Sequence, residues 1–442
     1  MNRSRPASTV RFSAEPEVDV LMRVRARERR LLPVARWAAV VTMIGALLSP
    51  PLANAGALLV LVSFALLPSA RQRLRAALAL PLVRAALLVL AVLAAAMLWS
   101  EAPLALRLKY WWDWRTLLLL IVCLVLFDDV SARRQALIAL IAVAALIAVY
   151  SFWAWLQGVS PAGIDHGSPG IVARNSTTQG MAFAAACFLA LTLAFGDRAT
   201  DRRMRLLLAA AAVMLACNLV FITSSRSGHL MLLILLAGAV VQLLAGWRRV
   251  AAIAVLPLAA ALAFSLSPML QTRFGMMVDE LRAPLASEQI SGMGIRVVMW
   301  RVSAQMALER PLLGYGTGGF PAAYESALKR SSYRGWAATP TIDPHNQYLL
   351  VQLQAGIVGS AAFAWFLLAG FRSRGPDPWR AAGKALLLGW CASALATSVF
   401  TAFAESHLLM PLLGILLAPA AVKMGVQPGG QPAAGEPPQP PR

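Results

Sequence analysis

RLLLAAAAVMLACNLVFITSSRSGHLMLLILLAGAVVQLLAG, residues 205–246, decides the fold. Each of its halves, near 205–222 and 229–246, holds close to the roughly 20 mostly apolar residues that a helix needs to cross a bilayer. Between them stands only Thr223-Ser224-Ser225-Arg226-Ser227-Gly228, enough for a tight hairpin and nothing larger. The same pattern recurs along the chain. Spans are predicted near 34–49, 52–68, 82–99, 116–127, 136–157, 179–195, 205–222, 229–246, 249–267, 347–371, 381–400 and 405–422. No strand-like alternation is long enough for a barrel, so a helical bundle is the remaining spanning architecture. The fold class expected is an all-α polytopic membrane protein of about 12 transmembrane helices.

Composition agrees. Of the 442 residues 59% are hydrophobic and 14% charged, and the mean hydropathy is +0.66. Soluble domains run nearer half apolar and a quarter charged, which excludes an ordinary soluble enzyme. The net charge of +20 would suggest nucleic acid in a soluble chain. Here it reads as sidedness, because cytoplasmic loops collect Lys and Arg. With the N-terminus inside, 27 of the 40 Lys and Arg fall inside and 13 outside, while Asp and Glu divide 10 and 10. The sides are then net +17 and +3, and no nucleic-acid partner is expected.

That orientation divides the chain into a basic cytoplasmic segment (1–33), transmembrane helices 1–9 (34–267), a large helical periplasmic loop region (268–346), transmembrane helices 10–12 (347–422) and a disordered cytoplasmic tail (423–442). The first two spans are short and read as a hairpin around Ser49-Pro50-Pro51. Ala53-Asn54-Ala55 resembles a cleavage site, but the basic region before it is too long for a signal peptide. Cys123, Cys187, Cys217 and Cys391 lie inside spans without metal spacing and read as packing residues.

The chemistry-bearing residues gather outside. His166, His229, His345 and His407 all land there. Arg174-Asn175-Ser176-Thr177 precedes the sixth span, where Asn and Ser suit capping. Arg226 stands in the 223–229 hairpin against the charge bias, so either an anion contact or interfacial snorkelling must account for it. Ser225 and Ser227 read as turn and cap residues, since no strand–turn–helix elbow surrounds them. Gly294-Ile295-Arg296 through Trp300-Arg301 to Glu309-Arg310-Pro311 predicts an outside helix. Arg296, Trp300, Ser303 and Ala307 share one face, and Arg301 points about 140° away. Gly314-Tyr315-Gly316-Thr317-Gly318-Gly319 matches a dinucleotide fingerprint, but without a βαβ unit it reads as a turn allowing close backbone approach. Asp343-Pro344-His345-Asn346 opens the tenth span, with Asp343 read as N-cap and His345 in the first turn. A neutral His345 suits a general base or a hydrogen-bond partner.

The sixth, eighth and tenth spans all start outside, so their positive ends face outward beside Arg174, Arg226 and His345. Arg296 is placed to close over them. Helix N-termini with guanidinium groups suit a phosphate or pyrophosphate. No carboxylate cluster with metal spacing lies on that side, so no metal is expected.

Together, Thr223 to Gly228, Gly294-Ile295-Arg296 with Trp300, Arg310-Pro311-Leu312-Leu313-Gly314-Tyr315-Gly316, and Pro344-His345-Asn346 followed by Gly356-Ile357-Val358-Gly359 resemble the bacterial O-antigen ligase/polymerase superfamily. The resemblance covers about residues 170 to 370. It implies a GT-C-type membrane glycosyltransferase of the bacterial inner (cytoplasmic) membrane. Such an enzyme transfers a glycan from undecaprenyl pyrophosphate at the periplasmic face, with inversion and without cofactor or metal. Within the superfamily, a chain with only a short tail after its last span resembles the ligase, whose acceptor is lipid A–core oligosaccharide. The O-antigen polymerase and the protein O-oligosaccharyltransferase are the alternatives. Arg226, Arg296 and His345 match the family's functional Arg, Arg and His, and Arg174 matches less closely. Arg226 and Arg296, with Arg174, would stabilise the departing pyrophosphate; Asn346 and Arg301 are further candidates. His345 would take the acceptor proton or bind phosphate. Tyr110-Trp111-Trp112-Asp113-Trp114 reads as an interfacial anchor or as the lining of a substrate groove. A transporter or flippase of lipid-linked glycan is disfavoured, because the span centres hold essentially no ionisable residues.

Overall fold

The computed structural model describes residues 15–161, 168–282 and 292–419, and among them it is helical throughout, without strands. Asp165 and His166, and the tail from 420 onward with Lys423 and Arg442, lie outside the described residues. The chain opens with α1 (Glu15–Leu48), which turns at Ser49 into α2 (Pro50–Ala65). Pro50 and Pro51 suit a first helical turn, where an N–H has no partner in any case. The hairpin is tight because a Cβ on Gly45 would stand 2.3 Å from Ala53 N and one on Gly56 2.7 Å from Thr42 N. Then come α3 (Ala70–Leu78), α4 (Pro81–Ala95), α5 (Leu104–Trp112), α6 (Thr116–Leu126) and α7 (Val130–Leu156). Next are α8 (Ser176–Leu191) with a π-helical turn (Thr192–Gly196), α9 (Arg202–Phe221), α10 (Arg226–Leu243) and α11 (Gly246–Leu266). The loop region holds α12 (Pro268–Arg282), α13 (Gly292–Glu309) and α14 (Phe320–Arg330), and the chain continues through α15 (Gln347–Arg372), α16 (Trp379–Ser393) and α17 (Phe403–Leu417).

Every expected span coincides with a helix, but fewer than twelve are full-length. Among the described residues seven helices are long and apolar enough to cross a membrane: α1 from Met22, α7, α8 with its π turn, α9, α10, α11 and α15. The bent pair α2 and α3, at 103°, would make eight. α4, α16 and α17 have 15 residues each and α6 has 11. At about 1.5 Å per residue, helices of this size fall short of a hydrocarbon core about 30 Å thick. Turns extend them instead, and several of those turns build the site below. α6, α8 and α17 are apolar on all sides and buried along almost their whole length, as a central helix must be. α11 has no buried residue and lies at the periphery.

At one end of the bundle the basic residues are structural. Arg36 donates to Asp128 at 2.7 Å and Arg73 to the same carboxylate at 3.0 Å. Buried Arg133 donates to Phe127 O at 2.6 Å and to Pro419 O at 3.0 Å.

α15 is broken. Ala355 (φ −140°) and Gly356 (φ 60°, ψ −154°) leave helical geometry. An unbroken helix would pair Ile357 N–H with Leu353 O. Instead Ile357 N–H donates to Pro311 O (2.9 Å) and Leu353 O accepts from Tyr315 N–H (2.7 Å). The segment Pro311–Tyr315 is spliced into the gap and takes up both orphaned groups, which a non-helical stretch within a spanning helix requires. A Cβ on Gly356 would lie 2.1 Å from Leu312 O, and one on Gly314 2.5 Å from Leu353 O. Thr317 fastens the same run to α4, its N–H donating to Ala96 O (3.1 Å) and its hydroxyl to Leu93 O (2.7 Å). The glycine-rich run is therefore a close backbone approach, as its composition predicted.

Candidate functional site at the helix starts

Two of the predicted arginines are held by one buried polar network. Gln179 on α8 accepts through Oε1 from Val172 N–H (2.9 Å) and Ala173 N–H (3.1 Å). Its amide donates to Gly170 O (3.1 Å) and to the Thr223 hydroxyl (3.3 Å). Thr223 in turn donates to Asn218 Oδ1 at 2.9 Å. The extended stretch leading to Arg174 and the first residue of the Arg226 hairpin are thus fixed by the same side chain. Arg174 N–H donates to Leu47 O at 3.3 Å, and Asn175 caps α8 by accepting from Thr178 N–H at 2.7 Å. Ser225 caps α10 through Gly228 N–H at 3.0 Å, the cap role predicted for it. A Cβ on Gly228 would stand 2.7 Å from Gly180 Cα, so the first turns of α8 and α10 touch backbone to backbone. That contact sets the starts of both helices, with Arg174 and Arg226, at the same end of the bundle.

The third start differs from expectation. α15 begins at Gln347, and its N-cap is Asn346, whose Oδ1 accepts from Tyr348 N–H (3.0 Å) and Leu349 N–H (3.1 Å). Its amide donates to Leu395 O (3.0 Å), so Asn346 is fully engaged in structure. Asp343 is not the cap. Its Oδ1 accepts from His345 N–H (2.7 Å) and from the Ser398 hydroxyl (2.7 Å). His345 consequently lies outside the first turn, at φ 50°, the one non-glycine with a positive φ among the described residues. Such strain of about 1–3 kcal/mol persists where the surroundings impose it, and it gathers at functional positions. Burial holds the imidazole below its ordinary pKa, and the Arg296 charge adds to this while Asp343 opposes it. His345 is therefore neutral near pH 7 and lies within electrostatic reach of Arg296.

Arg296 is half-buried on α13 and Arg301 is exposed, so the two face different surroundings, as their spacing predicted. α13 is seated by its other residues: Val298, Met299, Val302 and Met306 pack with Phe320, Tyr324 and Leu328 of α14 and with Leu353. Because Leu353 also takes the splice bond, the break in α15 and the placing of Arg296 are one construction.

The aromatic run is mostly interior. Trp114 is fully buried with its ring edge-on to Phe363 at 5.8 Å, and Trp111 donates to Leu90 O at 3.0 Å. Tyr110 donates to Ile342 O at 2.5 Å, tying α5 to the His345 segment, while Trp112 stays exposed. Past this run lie residues the motif reading missed. Arg115, at the start of α6, lies 3.4 Å from His407 Nε2 on α17. The Phe403 ring has Arg174 Cζ at 4.9 Å, Arg115 Cζ at 5.7 Å and the His407 ring stacked at 4.2 Å. The missed signal was the helix-start rule itself, which applies to the fourth and twelfth spans as much as to the sixth, eighth and tenth.

Among the described residues no three His, Cys, Asp or Glu side chains gather in a metal-ligating group. No curated protein matches the chain. Residues 210–364 match the family described as O-antigen ligase. That stretch contains Arg226, Arg296 and His345, together with the glycine-rich run and the break in α15. Arg174 and Arg115 precede it. This match relates residues 210–364 to the O-antigen ligase family, and the long apolar helices indicate a multi-pass membrane protein.

Proposed function

We propose that the protein is an O-antigen ligase with twelve membrane passes, both termini cytoplasmic and a periplasmic active site. It takes a glycan from undecaprenyl pyrophosphate and transfers it, with inversion and without metal, to lipid A–core oligosaccharide in a GT-C-type fold. The observation that best supports this reading is His345, neutral, strained and within electrostatic reach of the Arg296 guanidinium, inside the family-matched stretch. The acceptor hydroxyl oxygen bonds to the sugar's anomeric carbon as that carbon's bond to the pyrophosphate oxygen breaks. The hydroxyl proton passes to His345 Nδ1 or Nε2, and the pyrophosphate leaves with its electron pair. Arg226 and Arg296, with Arg174, stabilise the charge that grows on the leaving group. One charged hydrogen bond is worth about 1.5–3 kcal/mol, so losing one slows transfer by about tenfold to over a hundredfold.

The test is purified protein in detergent with lipid-linked glycan, lipid A–core and a chelator. Product formed without a bilayer supports the ligase and excludes obligatory transport. Elongated lipid-linked glycan with nothing on the core would instead identify a polymerase, and glycan on a protein acceptor an oligosaccharyltransferase. Loss of product on chelation would overturn the metal-free mechanism.

A further inference from the structure

The clasp around Phe403 is built like an anion site. Arg115 and Arg174 come from different helix starts, yet each lies within 6 Å of the centre of one ring. Cations so placed repel each other, and a low-dielectric surrounding strengthens that repulsion. Among the described residues neither guanidinium makes an ion pair. Arg115 donates to Trp112 O (3.1 Å), to Asn54 Oδ1 (3.3 Å) and towards His407 Nε2 (3.4 Å), all uncharged partners. Arg174 has the Phe403 ring. Two carboxylates belong to the same helix starts. Asp113 acts on Arg115 through its charge, and Glu405 accepts from the Thr178 hydroxyl at 2.7 Å.

The histidine explains how the clasp is held open. His407 Nδ1 lies 2.6 Å from Phe403 O, an acceptor, so the ring proton sits on Nδ1. Nε2 then offers a lone pair to Arg115, which orients the guanidinium without neutralising it. α17 also contributes, since Phe403 is its first residue and its N-cap Ala402 supplies no side-chain cap to the first-turn N–H groups. Two fixed guanidinium groups and an uncapped helix start suit a phosphate.

The site lies next to the proposed reaction centre. Ser398, bonded to Asp343 beside His345, precedes Phe403 by a single turn-rich stretch. We propose that Arg115, oriented by His407, and Arg174, both set against Phe403, bind a phosphate group of a lipid-linked substrate, and that Arg115 is a substrate-binding residue. This rests on the transferase reading above. The phosphate belongs either to the donor's pyrophosphate or to a phosphorylated acceptor.

The experiment measures donor and acceptor KM separately for wild type, Arg115→Gln, Arg115→Lys and Arg296→Ala, with melting temperatures in detergent and binding of inorganic pyrophosphate and inorganic phosphate by calorimetry. Arg115→Gln is expected to raise one KM about tenfold or more while melting as wild type does, and Arg115→Lys to restore part of that loss. A rise confined to the donor, with weaker pyrophosphate binding, assigns the clasp to the donor. A rise confined to the acceptor assigns it there. Unchanged KM values and unchanged anion binding in Arg115→Gln, with product lost in Arg296→Ala, overturn the inference and leave the transferase intact. No product from folded wild type fails the transferase instead, and the calorimetry then decides on the anion site alone. If Arg115→Gln does not fold, Arg115→Lys carries the comparison: wild-type binding of both anions with Arg115→Lys, and no change in either KM, overturns the inference.

Discussion

Replacing Gly356 by alanine tests the splice that couples the loop region to the membrane helices. Gly356 has φ 60° and ψ −154°, a region open essentially to glycine alone, and a side chain there costs about 1–3 kcal/mol. The new Cβ would also stand 2.1 Å from Leu312 O and 2.2 Å from its carbon, so the Pro311–Tyr315 segment must retreat by an ångström or more. That movement stretches the 2.9 Å Ile357–Pro311 and 2.7 Å Tyr315–Leu353 bonds past hydrogen-bonding range. One orphaned group for each of the two bonds adds about 1–3 kcal/mol apiece, which with the strain makes a total of roughly 3–9 kcal/mol. Alanine also favours a straight α15, in which Ile357 pairs with Leu353 and the segment is expelled. Because Leu353 seats α13, Arg296 moves with it. The expected result is a strongly lowered melting temperature in detergent and transfer reduced by at least a hundredfold. Gly275→Ala is the control, since Gly275 lies in a helix with nothing within 4 Å of its Cβ. A Gly356→Ala protein that melts and transfers like wild type would refute the argument.

Other consequences are open to the same methods. Gln179→Leu removes the amide that holds both arginine hairpins and strands Val172 and Ala173 N–H; transfer should fall tenfold or more with lowered melting temperature, and a loss of neither refutes the shared network. If neutral His345 takes the proton, kcat stays level as pH falls to about 6.5 and declines only below it, because the folded ring titrates beneath its ordinary value. Asp343→Asn removes the charge that opposes this shift, so the acid limb should move lower still; a limb moving upward contradicts the assignment. Arg301→Ala should transfer within about twofold of wild type, since Arg301 is exposed on the far side of α13, and a tenfold loss in kcat would restore it to the site.

Much of the site follows from one-dimensional rules. Apolar runs place the helices, and Asn175 and Ser225 are ordinary caps that put Arg174 and Arg226 at helix starts. Two kinds of feature escape such rules. The first is competition between neighbouring signals: Asp343 and Asn346 are both good caps, and Asn346 prevails because Asp343 is bonded to Ser398, which lies 55 residues away in sequence. The second is pairing between distant backbones. Nothing local in Gly356-Ile357-Val358-Gly359 says that Pro311–Tyr315 will enter the helix. Arg115 and His407 fall between these cases. Their positions at helix starts are readable, but only packing shows that they share Phe403.

The buried cluster of Arg36, Arg73, Asp128 and Arg133 bears on how the chain is made. Its members enter the membrane at widely separated moments of synthesis. Arg73 emerges well before Asp128, and Arg133 waits for Pro419, just past α17, to receive its carbonyl. Until α17 is in place the growing protein carries a cation at a helix end without its final acceptor. Closing of this end of the bundle therefore waits for α17, and a protein truncated before α17 lacks the Pro419 carbonyl that accepts from Arg133.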